Sequence, residues 1–280
     1  MVTLGVILIH NGDEQRLHTA REAITQFSKM SGTTVDIAGG EVSYQEDITP
    51  ASIGDSLLSW FLACRLEHRW KVHLRNPQSL AERRELRRES SWWCRKNLRK
   101  LPRRRRRVSV VAALTAKNIR AWERALDERW DYLLVVEDDV ILSEGSSEAI
   151  KEFCAEIGSR DPGGALFGSL AEAVDLDDLG VSHLVDDSLG DAGSPSSLVW
   201  FTTPVSNTAA AYVLSRGLVL SFYKEVRENP WLRRLSADWL LNSLFLRLHA
   251  TAKPISCLHA RDGVFVNRSI LGQLPSQTKV

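Results

Sequence analysis

The chain has 280 residues, of which 44% are hydrophobic and 8% aromatic. This composition is sufficient to bury a core and excludes a chain that is mainly disordered. The 36 Lys and Arg residues almost balance the 35 Asp and Glu residues, so the net charge of +1 by itself indicates no polyanionic partner.

The basic residues are concentrated in one segment. Residues 65–107 hold 17 of the 36 basic and 4 of the 35 acidic residues, a local net charge of +13. The remaining 19 basic and 31 acidic residues give the rest of the chain a net charge of −12. We therefore predict a single acidic domain over residues 1–280 that carries a basic insert at about residues 55–107.

The cysteines and the N-terminal residues give evidence on the cellular compartment of the protein. Cys64, Cys94, Cys154 and Cys257 are too widely spaced for a Cys-x-x-Cys metal site. Residues 1–9 lack a basic leader and reach polar residues too early for a signal peptide. No apolar stretch approaches the roughly 20 residues that span a bilayer. We expect a cytoplasmic protein that does not cross a membrane.

The first 40 residues predict a strand, a helix and a second strand. Residues 2–9 are a β-branched run, residues 17–27 have helical apolar spacing, and residues 33–37 read as the second strand. Gly39 and Gly40 follow it and permit a sharp exit from the sheet. A β-α-β unit of this kind places loops at the strand ends, where open α/β sheets bind ligands.

The basic segment comes next. Four arginines recur in it at helical spacing, and they precede two tryptophans and a run of five arginines: Arg83, Arg84, Arg87, Arg88, Trp92, Trp93 and residues 103–107. One interpretation is a solvated helical insert with a charged face. Another is a peripheral contact with an anionic membrane, and a third is a nucleic-acid contact through phosphates.

Among the partner interpretations, the sequence favours the membrane. Arginines would meet anionic head groups through residues 65–107, while Trp60, Trp70, Trp92 and Trp93 lie at the interface. No zinc finger, RNP sequence or other nucleic-acid motif is present, so a nucleic-acid partner is not favoured. The predicted location is cytoplasmic and peripheral, at the inner face of a membrane.

The second half continues the α/β pattern. Residues 114–129 have helical spacing, and residues 132–136 are apolar throughout, which is typical of a buried central strand. Residues 161–197 are rich in Gly, Asp and Ser and predict loops. Ordered structure is expected again at residues 198–201 and 209–214, followed by helices near residues 216–226 and 237–248.

Three consecutive carboxylates follow the central strand directly. Glu137, Asp138 and Asp139 are costly there, because they repel one another where they are partly desolvated. A divalent cation such as Mg²⁺ or Mn²⁺ compensates such a cluster. Alternation along the chain sends Glu137 and Asp139 to one side and Asp138 to the other, where it would bond to backbone or ribose. The alternative is an acidic turn that caps the next helix or pairs with arginines.

Several segments resemble glycosyltransferase family 25, the lipopolysaccharide-biosynthesis and procollagen galactosyltransferases. Residues 118–126 (NIRAWERAL) and 131–140 (DYLLVVEDDV) are similar to its central signature. Residues 7–9 with Arg16 resemble its opening strand and loop, and residues 208–216 (TAAAYVLSR) its Ala-Tyr-hydrophobic-Ser-Arg segment. Residues 238–241 (DWLL) resemble its late Asp motif.

The resemblance implies a GT-A-type fold, a Rossmann-like mixed sheet flanked by helices. It also implies an inverting, metal-dependent transfer of a hexose, galactose by analogy, from a UDP-sugar to a glycan or lipid-linked acceptor. Mn²⁺ or Mg²⁺ would bind Glu137 and Asp139, and the nucleotide sugar would contact Arg16, Glu137 and Asp138. An arginine at a helix start is also commonly just solvated.

Asp238 is the candidate catalytic base, because it heads an apolar helix that would face the cleft. Its position equally suits an N-terminal helix cap, and both roles are compatible. One departure concerns the signature helix: family members commonly carry Ser-His where this chain has Lys117 and Asn118. The alternative function is therefore a catalytically inactive GT-A-like fold that acts as a basic membrane- or polyanion-binding module.

Overall fold

The computed structural model describes residues 2–32, 35–43, 52–98, 105–172, 182–185, 197–204, 206, 209–250 and 254–268. The helices, labelled α1 to α7 in chain order, are Glu14–Met30, Ile53–Arg75, Leu80–Leu98, Arg105–Asp127, Ser147–Ser159, Arg216–Glu228 and Ala237–His249. The strands, labelled β1 to β10, are Val2–His10, Val35–Ser43, Tyr132–Glu137, Val140–Leu142, Leu166–Ser169, Ala171–Glu172, Leu198–Phe201, Ala211–Ser215, Ser256–Ala260 and Phe265–Asn267. Short 3-10 helices span Ser182–Leu184 and Pro230–Arg234.

Seven strands form one mixed sheet in the order β2-β1-β3-β8-β5-β9-β7. Strand β1 pairs in parallel with β2 and β3, whereas β8 runs antiparallel to both β3 and β5. A smaller sheet has the order β4-β10-β6. The predicted fold class, a mixed α/β sheet flanked by helices with a helical basic segment, is confirmed.

The three parallel strands bring their carboxyl ends to one edge of the sheet. Residues 4–9 of β1 are buried throughout, as expected for a strand covered on both faces. Ile9 pairs with Glu137 of β3, so the loop after β1 lies beside the carboxylates that follow β3. The candidate site residues therefore collect at this edge.

The predicted exit of the chain at Gly39 and Gly40 is wrong. Strand β2 continues through both glycines to Ser43 and stays paired with β1 along its whole length. Gly39 and Gly40 stay in register with Val6 and Ile7 of β1, and this pairing outweighs the freedom that glycine offers. The Arg124 guanidinium lies so close to Gly40 that a Cβ there would be 2.4 Å from its Nη1.

The core fills both faces of the large sheet. On one face, inward residues of β1 and β3 pack with helices α4, α6 and α7 through Trp122, Phe222 and Phe245. On the other face, α1 and α5 contribute Phe27 and Phe153. Alternation along the strands explains the division, because successive side chains point to opposite faces.

Helices α2 and α3 form a hairpin within the basic segment. Its inner side joins the main core through Leu66, Trp70 and Leu74 of α2. Trp70 is 8% exposed, so its predicted place at a membrane interface is wrong. Helix α4 begins at Arg105, and residues 99–104 of the predicted insert lie outside the described residues. Among the described helices, none is both long and apolar enough to cross a bilayer.

Candidate active site

Asp138 lies in the turn after β3 and points toward the loop that follows β1. Its Oδ2 accepts a hydrogen bond from the Asn11 backbone N–H at 2.9 Å, and its Oδ1 lies 3.7 Å from Arg16 Nη1. Both side chains are less than a tenth exposed. Burial raises the pKa of Asp138 to about 6, against the lowering effects of Asn11 and Arg16. The expected bond between Asp138 and backbone is present.

The start of α1 explains why Arg16 meets Asp138. Asp13 caps this helix, and its Oδ1 accepts from the backbone N–H groups of Gln15 and Arg16 at 3.1 Å. The Asn11 side chain in turn accepts from the Asp13 N–H at 2.9 Å. These bonds direct Arg16 inward, so its charge faces a buried carboxylate. A donor contact by Arg16 or Asp138 stays a prediction.

Asp139 follows Asp138 in the same turn and contacts strand β10 and the residue after it. Its Oδ1 accepts from Asn267 Nδ2 at 3.2 Å, and its backbone oxygen accepts from the Arg268 N–H at 2.8 Å. The small sheet therefore holds this carboxylate beside the end of β3. Asn267 is 6% exposed and positions Asp139 from the inside.

Glu137 and Asp238 are linked through two consecutive alanines. The Glu137 N–H donates to the Ala210 carbonyl at 2.8 Å, and the Ala209 N–H donates to the Asp238 carboxylate. Desolvation raises the pKa of Glu137 well above its usual range, and the charges of Asp139 and Asp238 raise it further. The predicted base and the predicted metal ligands thus belong to one electrostatic cluster.

Asp238 lies in the first turn of α7 and is exposed. The protein around it still raises its pKa to about 6, chiefly by desolvation. Ser236, rather than Asp238, is the residue that precedes the helix, so the predicted N-cap role is wrong. Asp238 instead accepts from the amides of Ala209 and of its own residue.

Asn242 holds the segment that carries the two alanines. It lies one turn after Asp238 on α7, and its Oδ1 accepts from the Ser206 N–H at 3.2 Å. Its Nδ2 donates back to the Ser206 carbonyl at 3.3 Å. Asp238 and Asn242 therefore contact Ala209 and Ser206 from the same face of α7, as their spacing of four residues allows.

A buried hydrogen-bond network lies on α4 and β8 beside this cluster. The Tyr212 hydroxyl donates to Asn118 Oδ1 at 2.5 Å and accepts from Trp122 Nε1 at 3.1 Å. Asn118 Nδ2 donates to the Leu114 carbonyl. Desolvation and the charges of Glu137 and Asp238 raise the pKa of Tyr212. Asn118, at the place of the family histidine, is thus a fully bonded buried residue.

Sequence reasoning missed Asn11, Asn242 and Tyr212. Tyr212 stands in the segment used for the family resemblance, and a lone polar side chain in an apolar strand was the available signal. Asn11 meets Asp138 through its own backbone N–H, and Asn242 bonds to the backbone of Ser206. Neither of these long-range contacts leaves a sequence pattern.

The described residues contain no group of three or more His, Cys, Asp or Glu side chains arranged to hold a metal ion. Glu137 and Asp139 offer two carboxylates. That number fits a cation whose remaining positions are filled by water and substrate phosphates, which is the usual arrangement for Mg²⁺. The mutual repulsion that raises the pKa of Glu137 is also what a cation would relieve.

Comparisons with known proteins identify no family. No family model and no curated protein matches this chain. Among solved structures, it is similar to a glycosyltransferase involved in the glycosylation of the major capsid of PBCV-1. The two share 9% identity and a TM-score of 0.40 over 94% of this chain and 92% of that one. At this TM-score the likeness assigns no activity to the chain, and family 25 remains a resemblance in motifs.

Proposed function

We propose that this protein is an inverting, metal-dependent glycosyltransferase that moves a hexose, galactose by the motif resemblance, from a UDP-sugar to a glycan or lipid-linked acceptor. The observation that carries the proposal is the link between Glu137 and Asp238 through Ala209 and Ala210. It ties the main chain of Glu137, at the end of β3, to the exposed Asp238 carboxylate in the first turn of α7, at the sheet edge where α/β folds bind ligands.

The donor would bind beside Glu137 and Asp139. These residues would hold Mn²⁺ or Mg²⁺ together with the donor diphosphate, and the bound cation would neutralise charge that develops on the departing UDP. Asn267 and the small sheet keep Asp139 in place for this contact. Asp138 and Arg16 would shape the nucleotide side of the site by bracing the loop after β1.

Asp238 would act as the general base. The acceptor hydroxyl oxygen forms a bond to the anomeric carbon while the bond between that carbon and the UDP oxygen breaks. The hydroxyl proton passes to the Asp238 carboxylate, and UDP leaves with the electron pair. A pKa of about 6 suits this role, because the group is mostly ionised at neutral pH and still accepts a proton effectively.

The test is UDP release from UDP-sugars with Mn²⁺ and with EDTA. We expect turnover that depends on the metal and that falls at least about 100-fold in Asp238→Asn. Glu148→Gln is the matched control, because Glu148 is also an exposed acid in the first turn of a helix. Equal turnover in the two variants would show that Asp238 is not the general base. The absence of turnover with any common UDP-sugar would overturn the proposal.

A second candidate is a catalytically inactive fold that binds membranes or polyanions. Asn118 favours it, because a buried and fully bonded side chain occupies the place of the family histidine. Isothermal titration with UDP and Mn²⁺ separates the two functions. An enzyme binds this pair at the Glu137 and Asp139 site, whereas a pure binding module shows no such affinity.

An enzyme that uses a lipid-linked acceptor would have to act at a membrane surface. We propose a cytoplasmic enzyme that is peripheral at the inner face of a membrane. Cell fractionation tests this directly: the protein should pellet with membranes and be released by high salt. Recovery in the soluble fraction at low salt would contradict it.

A further inference from the structure

The surface of the α2–α3 hairpin is unusually apolar for so basic a segment. Of the seven large hydrophobic residues that are exposed in the described part of the chain, six lie on these two helices. They are Leu57, Leu58, Phe61, Leu80, Trp92 and Leu98. Exposed apolar side chains that cluster in this way mark an interaction surface.

Five of the six gather at one end of the hairpin. The two helices run antiparallel, so the start of α2 lies beside the end of α3. The contact is direct, since Trp60 Nε1 donates to the Cys94 carbonyl at 3.0 Å. Trp93 also packs edge-on against Trp239, which anchors this end to α7. The exposed group of Leu57, Leu58, Phe61, Trp92 and Leu98 is called the apolar tip below.

A cavity of about 370 Å³ opens between the two helices next to the apolar tip. Its lining includes Trp60, His68, Arg87, Ser90, Arg95 and Leu98. Ser90 is 4% exposed, and its hydroxyl has no hydrogen-bond partner among the described residues; the same holds for His68 Nδ1. Buried polar atoms of this kind are rare, and they call for a polar group that completes their bonding.

The charges on the cavity rim favour an anion as that group. Arg87 and Arg95 are both exposed, and they stand on the cavity side of α3 two turns apart. Arg84 and Arg88 are exposed on the same helix but do not line the cavity. The segment as a whole carries a net charge of +13 over residues 65–107. Guanidinium groups bind phosphate in a bidentate manner and suit this position.

We propose that the α2–α3 hairpin docks on the surface of an anionic phospholipid membrane. A lipid phosphate binds in the cavity between Arg87 and Arg95, and the apolar tip rests at the boundary between head groups and acyl chains. Trp92, which is 58% exposed, has the amphipathic ring that favours this boundary. A nucleic acid would satisfy the arginines but would leave the apolar tip in water. The proposal does not depend on glycosyl transfer.

The experiment is co-sedimentation of the full chain with vesicles of phosphatidylcholine, with and without phosphatidylglycerol. We expect binding only to vesicles that contain the anionic lipid. Arg87→Ala/Arg95→Ala tests the cavity, and Arg84→Ala/Arg88→Ala is its control because it removes the same charge from the same helix. The cavity variant should weaken binding about tenfold more than the control does.

A second pair of variants tests the apolar tip. Phe61→Ser should weaken vesicle binding, because it removes apolar surface that would enter the interface. Leu220→Ser removes a residue of similar exposure on α6, away from the hairpin, and should leave binding unchanged. All four altered surfaces are exposed, so circular dichroism should report a native fold for each variant.

Three outcomes would overturn the proposal. The first is the absence of binding to anionic vesicles. The second is an equal loss in the cavity and control variants, which would mean diffuse charge without a phosphate site. The third is a nucleic-acid surface, which two results together would identify. Duplex DNA would displace the unaltered chain from vesicles, and Phe61→Ser would bind DNA as tightly as the unaltered chain does.

Discussion

The Tyr212 hydroxyl lies 2.5 Å from Asn118 Oδ1 and 3.1 Å from Trp122 Nε1, and it satisfies both buried groups at once. The three residues connect α4 to β8 directly beside Glu137 and Asp238, whose charges act on Tyr212. The signature helix and the Ala-Tyr segment are thus held together by one hydroxyl.

Tyr212→Phe should lower the free energy of unfolding by about 2 kcal/mol, because it leaves Asn118 Oδ1 and Trp122 Nε1 buried without this partner. Urea denaturation measures the change. A double-mutant cycle with Asn118→Leu should show coupling, since the second substitution removes one of the orphaned groups. A loss below about 0.5 kcal/mol would contradict the network.

Arg16→Ala should destabilise the protein by about 3 kcal/mol, because it leaves the Asp138 carboxylate buried without its cation. Arg21→Ala is the matched control on the same helix, because its ion pair with Glu41 is exposed and should contribute far less to stability. Arg16 lowers the pKa of Asp138, so without it the carboxylate takes up its proton above pH 6. The penalty should therefore shrink as pH falls toward 6 and be small below it. A penalty that is independent of pH would contradict this pairing.

The pKa of Asp238 predicts opposite effects on stability and activity. The folded-state pKa of about 6 lies above the ordinary value of 3.8, so the folded protein holds the proton more tightly than the unfolded chain. Ionisation therefore costs stability as pH rises from 3.8 to 6, and the cost persists above 6. Asp238→Asn should raise Tm at pH 8 and have little effect near pH 4.

The same group predicts the acid limb of the rate profile. If Asp238 is the base, kcat/KM of the unaltered protein should fall as pH drops through about 6, because the carboxylate becomes protonated. The control Glu148→Gln should show the same fall in kcat/KM below about pH 6 as the unaltered protein. Its Tm at pH 8 should not increase. An unaltered Tm in Asp238→Asn at pH 8 would show that ionised Asp238 carries no cost.

Metal binding should require the nucleotide. Glu137 and Asp139 supply two carboxylates, so Mn²⁺ alone should bind weakly and UDP should tighten it by completing the coordination shell. Electron paramagnetic resonance of free Mn²⁺ measures both affinities. Asp139→Asn should abolish the effect of UDP, whereas Asp262→Asn, at an exposed acid elsewhere, should preserve it. Tight Mn²⁺ binding without UDP would indicate a different ligand set.

The sequence by itself determined the α/β order of elements, the buried central strand and the carboxylates at its end. Apolar runs and helical spacing are local properties, so they can be recognised without knowing how the chain folds. The continuation of β2 through Gly39 and Gly40 could not be predicted from local sequence, because it depends on the pairing of β2 with β1.

Only the tertiary structure decided how the site is assembled. Asp138 meets Asn11 and Arg16 across more than 120 residues, and Ala209 and Ala210 join Glu137 to Asp238. Such contacts depend on strand order and on loop paths, which leave no periodicity in the chain. Burial likewise separated the tryptophans of the basic segment, because α2 turns Trp70 into the core while α3 leaves Trp92 in solvent.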